Sequence, residues 1–238
     1  MEQITVNNIT IDVVRKNIKN IHLGVYPPTG RVRIAAPLKV NEDAIRLFAI
    51  SKLGWIKRNQ RKFEAQERVS PREYKQRESH YFQGKRYLLN IIEEDSPSKV
   101  VIRTKTYIDL YIKPGTSVIK RHALLTKWYR HQLKEQIPSI IEKWQKILNV
   151  KVSHWQVKQM KTKWGSCNIV QKKIWLNLEL AKKPVHCLEY IIVHEMAHLL
   201  ERHHNERFLQ YMDTFLPNWK QLKMKLNNMP ISYANWAY

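Results

Sequence analysis

His194-Glu195-Met196-Ala197-His198 sets two imidazoles four residues apart, with a carboxylate directly after the first. On a helix, residues four apart share a face, so both rings can reach one ion. Glu195 then lies beside the ion's open position, where it can take a proton from water. Nitrogen ligands with no redox task suit zinc, one Zn2+ per chain. A bare HExxH arises by chance, but its surroundings here favour a buried helix. Ile191-Ile192-Val193 leads in, Leu199-Leu200 follows, and Pro184 suits a first helical turn. A catalytic zinc takes three protein ligands and leaves the fourth position to water. His204 has the ligand spacing of HExxHxxGxxH, although Glu201 stands where that pattern has glycine. His204 is therefore the expected third ligand, with His203 and Glu201 as the alternatives.

Several elements must hold these residues. Residues 184–201 and 205–215 read as a helical pair, and Pro217-Asn218-Trp219 starts a short tail. Residues 150–155 and 173–180 read as strands on either side of Trp164-Gly165-Ser166-Cys167. Within residues 174–180, Asn177 and Glu179 alternate away from Leu176 and Leu178. That strand is the expected edge for an extended substrate. Asn177, Trp164 and Ser166 are the candidate substrate-binding residues, with packing as the plainer role for Trp164. Cys167 and Cys187 read as small buried thiols, Cys167 with a second reading as a liner of the site. Upstream, Ser117 opens a long helical pattern through Leu125, Tyr129, Leu133, Ile137, Ile141, Trp144 and Leu148, which Pro138 should kink or split. The first third reads as β-hairpins, then one helix from Asn41 to just before Ser70-Pro71. A second β-rich stretch turns at Gly84 and closes at Pro114-Gly115. No internal repeat is visible. The expected fold class is α+β: a β-rich N-terminal part with one long helix, residues 1–115, packed on the part that carries the metal motif, residues 116–238.

Charge narrows the partners. Lys and Arg number 42 against 20 Asp and Glu, a net +22 that predicts attraction to nucleic acid before any other polyanion. No apolar run approaches the ~18–20 residues of a membrane span, so no membrane partner is expected. The N-terminus has neither the basic nor the long apolar region of a signal peptide. Two cysteines exclude a disulfide framework, and reduced thiols in the cytoplasm are the expectation.

With their surroundings, these residues resemble the YgjP-like family of metal-dependent hydrolases, a small-zincin group akin to SprT and WLM peptidases. Val14-Arg15-Lys16, Val32-Arg33-Ile34 and Ala36-Pro37 are similar to the family's opening hairpin, and Trp55-Ile56 to its first helix. Gly84-Lys85-Arg86-Tyr87 is similar to a second hairpin, and Met160-Lys161-Thr162-Lys163-Trp164-Gly165-Ser166-Cys167 to the box before the metal helix. Residues 176–180, residues 190–198 with His204 and Phe208, and Leu216-Pro217-Asn218-Trp219 complete the match. The resemblance implies a zincin-like catalytic domain and peptide hydrolysis by water that Glu195 activates, with His194, His198 and His204 on the metal. In the family the third ligand is the histidine four residues before a phenylalanine, here His204 before Phe208. The usual Asn-His-Ser reads His203-His204-Asn205 in this chain. One family member carries a UTP pyrophosphatase name, which makes nucleotide hydrolysis the first alternative, although no glycine-rich phosphate loop is present. A basic nucleic-acid-binding module with a structural zinc is the second. Zincins often stabilise the oxyanion with a residue from elsewhere in the fold. His186, Tyr190, Tyr233 and Tyr238 are the unranked candidates.

Overall fold

Alternating apolar residues at the start of the chain form a hairpin, β1 (Glu2–Val6) and β2 (Ile9–Lys16). Its turn, Asn7-Asn8, has φ of 47° and 62°, the left-handed backbone that two-residue hairpin loops need. β3 (His22–Tyr26) and β4 (Arg31–Pro37) make a second hairpin, and β4 lies parallel to β2. The order is β1-β2-β4-β3. One face buries Ile11, Val13, Val32 and Ile34 against Ile45, Ala49 and Ile56 of α1 (Glu42–Ser51) and α2 (Leu53–Glu64). The single helix expected here is two. Lys52 N donates to Ala49 O, three residues back at 3.1 Å, and the Ser51 hydroxyl donates to Phe48 O, so the helical ladder breaks.

The computed structural model describes residues 2–26, 29–64, 68–69, 72–160, 162–229 and 231–232. Its two compact units are Met1–Arg68 and Val69–Tyr238, with the two-residue β5 (Arg68–Val69) at the division. The second unit opens with β6 (Ser79–Phe82), β7 (Lys85–Glu93), β8 (Lys99–Ile102) and β9 (Tyr107–Ile112). Their order is β6-β7-β9-β8, antiparallel at both edges and parallel in the middle. This is the strand order and direction pattern of the first sheet. The sequence reading found no repeat because the likeness lies in hydrogen-bond pattern and turn position, not in residue identity.

α3 (Val118–Leu148) packs Leu125, Tyr129, Leu133, Ile137 and Ile141 into the core and runs unbroken through Pro138, which was expected to kink or split it. Pro138 and Lys134 are both exposed, so water can satisfy the carbonyl that loses its helical partner. Next come β10 (His154–Lys158), β11 (Gly165–Asn168) and β12 (Lys173–Asn177), in the order β10-β12-β11. A 3-10 turn (Leu178–Lys182) leads to α4 (Val185–Ala197), α5 (Glu206–Phe215), α6 (Trp219–Asn228) and β13 (Ile231–Ser232). One core runs from Leu89, Ile108 and Leu110 of the second sheet, through α3, to Ile192 and Val193 of α4. The expected boundary at 115/116 therefore falls inside the second unit rather than between units. Among the described residues no helix is long and apolar enough to cross a membrane.

Candidate metal centre

α4 buries nine of its residues, with apolar side chains on every face. Such a helix is stable only when enclosed. It has no side-chain N-cap, and its start is held from outside. Gln83 N donates to Ala181 O at 2.9 Å and Gly84 N to Lys182 O at 3.1 Å. A Cβ on Gly84 would lie 2.5 Å from Pro184 Cγ, so the β6–β7 turn sits directly against the helix start. Glu189 fixes the middle of α4 to α3 by accepting from Trp144 Nε1 and Lys143 Nζ, both at 2.8 Å.

His194 projects from the last turn of α4, and His198 is its C-cap. The chain then loops back, and His204 directly precedes Asn205, the N-cap of α5. Ligand atoms of these three histidines lie within 4.8 Å of one another. The Nε2 atoms of His194 and His204 are 3.0 Å apart. His198 Nδ1–H donates to the Glu201 carbonyl at 3.2 Å, a partner that fixes the tautomer and leaves Nε2 bare. Phe208, fully buried, stacks on His198 at 4.8 Å and meets His194 and His204 edge-on at 5.0 and 4.7 Å. Burial lowers the pKa of all three histidines, that of His194 to about 3, which keeps them neutral and able to ligate. Three neutral imidazoles converging this closely fit a divalent cation of zinc's preference.

The two alternative ligands stand apart from this group. His203 is exposed, and its backbone N donates to Glu201 Oε1. Glu201 contributes through its carbonyl, by holding His198.

Glu195 is 6% exposed. Burial pushes its carboxyl up to about 8, against the pull of Lys163. A Cβ on Gly165 would fall 2.6 Å from Glu195 Oε1, so only glycine lets β11 lie across this carboxylate. Gly165 serves the close approach of β11 to Glu195, which spacing alone does not reveal.

An open pocket of about 1240 Å³ joins the histidines, Glu195, Trp164 and Ser166. Asn177, predicted to bind substrate, is not in its lining. Its Nδ2 donates to Met160 O and Lys163 O at 2.9 and 2.8 Å, and its Oδ1 accepts from Glu179 N at 3.1 Å. Asn177 thus ends β12 and pins the loop that leads to Trp164. The strand expected to offer a free edge, residues 174–180, stops at Asn177 and is paired on both sides. Among the described residues β11 pairs on one side only, so it is the edge at the pocket. Of the oxyanion candidates, Tyr190 lines the pocket, His186 does not, and Tyr233 and Tyr238 lie outside the described residues. Cys167 lines the pocket with its thiol held protonated, pushed up to about 12 by burial and by Glu195. Arg202, Lys223 and Trp219 also line it; sequence reasoning did not place Lys223 and Trp219 there because α6 was read as a tail.

No curated protein sequence matches the chain. Among solved structures, the metallopeptidase zymogen of Pyrococcus abyssi abylysin is similar in part, at 18% identity and a TM-score of 0.35 over 37% of this chain and 89% of that one. The model of the YgjP-like metallopeptidase domain matches residues 19–229, every pocket residue included, and on that match the chain belongs to the YgjP-like metallopeptidase family.

Proposed function

We propose that the chain is a zinc-dependent peptidase in which His194, His198 and His204 hold one Zn2+ and Glu195 is the general base. The observation that carries this reading is the convergence of three neutral imidazoles beside a buried carboxylate in one open pocket. Zinc, when bound, supplies a Lewis acid that polarises the scissile carbonyl and acidifies water. Glu195 takes the proton of the attacking water and passes it to the leaving amine; its burial favours holding that proton between the two transfers. Phe208 closes the floor beneath the rings against solvent. The free edge of β11 pairs with an extended peptide and lays its backbone past Glu195. Trp164 and Ser166 flank that path. Tyr190 is the described candidate for stabilising the oxyanion.

The test is Glu195→Gln. The variant should keep its zinc and its melting temperature and lose casein cleavage by ~10²–10⁴-fold, the usual size of general-base removal. A chelator should abolish cleavage by the wild type. UTP turnover that needs magnesium and survives both chelator and Glu195→Gln, with no protein cleaved, would overturn the peptidase reading in favour of a pyrophosphatase. The net charge of +22 supports a nucleic-acid partner as well. Its binding should fall steeply with salt and be the same in Glu195→Gln, since contacts to phosphate need only the basic surface.

A further inference from the structure

A second cavity, sharing no lining residue with the histidine pocket, lies between α3, the β6–β7 hairpin and the 3-10 turn that follows β12. It encloses about 260 Å³. Tyr74, Tyr81 and Tyr129 line it. The Tyr129 hydroxyl donates to Tyr81 O at 2.9 Å, which fixes that ring, and Tyr74 lies 5.7 Å from the His80 ring and 5.2 Å from the His122 ring. The charged lining is unbalanced: Arg72, Lys182 and Lys183 against the single carboxylate of Glu179, among the described residues. Lys182 bonds Glu179 at 2.7 Å and stands 5.4 Å from the Tyr129 ring centre. Arg72 lines the cavity with His80, Tyr74 and Tyr129, near enough for its charge to act on all three. Lys183 and His80 are 5% and 4% exposed. His80 pairs with Glu78 at 3.0 Å, and Lys183 Nζ stands 5.6 Å from the Trp164 ring centre. The proposed peptide hydrolysis uses none of the residues that line this cavity.

We propose that this cavity binds a small planar organic anion, its ring among Tyr74, Tyr81 and Tyr129 and its acidic group against Arg72 and Lys183. Aromatic walls with a few convergent polar groups are the usual make-up of a small-ligand site, and the volume limits the ligand to a single-ring acid. Carboxylate and phosphate share the required chemistry, and guanidinium can grip either.

Calorimetric titration of the intact, zinc-loaded protein tests this with 4-hydroxybenzoate, phenyl phosphate and, as the neutral comparator, phenol. At least one anion should bind about tenfold or more tighter than phenol, and the tighter of the two identifies the acidic group. Arg72→Met should weaken it by about tenfold. Thr126→Trp, which fills the cavity from α3, should abolish it with zinc content and melting unchanged. Absence of binding by both anions means that the cavity holds only water, and overturns the proposal. Equal binding of phenol, or wild-type affinity in a folded Thr126→Trp, overturns it too. Should Thr126→Trp fail to fold, Arg72→Met decides: unchanged affinity in that variant sinks the proposal.

Discussion

The two four-stranded sheets have one topology and two employments. Each is a pair of hairpins joined through parallel central strands, and each starts on a two-residue turn with left-handed backbone, Asn7-Asn8 in the first and Gln83-Gly84 in the second. Each also buries one aspartate bound to an arginine: Asp12 with Arg31, and Asp109 with Arg103. The first sheet closes its core with α1 and α2, and its turn is exposed. The second shares its core with α3 and α4, and its turn presses on Pro184 at the head of the metal helix. Topology alone makes no site. What differs is whether a turn ends in solvent or becomes the support of a helix that cannot cap itself.

Matched changes in the two turns can break this comparison. The largest effect should come from Gly84→Val. It places a β-branched side chain at φ 79° and within 2.5 Å of Pro184. Left-handed strain costs about 1–2 kcal/mol, and overpacking about 1–3. Calorimetry should show a melting temperature lower by roughly 10 °C at ~2–4 °C per kcal/mol, together with weaker zinc retention. Unchanged zinc affinity would mean that the turn does not support α4.

The next effect is on acid stability, and it separates the buried groups of the two sheets. Burial and Arg72 hold His80 down to about 4, against the pull of Glu78, which lies 3.0 Å away. Between about 6.5 and 4 the unfolded chain binds the extra proton. Stability from His80 is thus complete above 6.5 and is lost as pH falls through that window. The hydrogen bond from Arg31 lowers Asp12 below the usual carboxylate range, so its contribution is complete above about 4 and is lost only in stronger acid. Thermal melts of zinc-stripped protein should show His80→Gln flattening the slope between pH 6.5 and 4, by on the order of 3 kcal/mol in all. Asp12→Asn should leave that slope alone. The smallest effect should be that of Asn8→Gly, within about 0.5 kcal/mol, because this turn is exposed and its backbone already suits glycine. A large loss there would show that the first turn also bears on something.

The three histidines that the structure brings together were legible in the sequence because their placement is written as spacing. His194 and His198 follow from helical period, and the residue-by-residue likeness to the family picks His204. The α3 core pattern was equally readable. What escaped depends on partners distant in the chain. Residues 174–180 alternate like a strand, but the Asn177 side chain caps the 3-10 turn at Glu179 and ends it. Which strand is the free edge depends on pairing order, which alternation does not encode. Phe208 entered only as a family position, yet it is the floor under three imidazoles. Lys52 breaks a helix whose apolar period continues across it.

The enclosure of α4 also orders events during synthesis. A nascent chain that has reached residue 204 already holds all three histidines and Glu195. The helix that carries two of those four residues and is capped by a third is apolar on every face, and its cover includes Trp219, Leu222 and Leu226 of α6. Until α6 has been made, α4 has no complete shelter. Domains fold as units once their elements are available. The histidine cluster should therefore assemble only once residues 219–228 have emerged from the ribosome, and on the proposed function a shorter nascent chain would be silent towards itself and its neighbours.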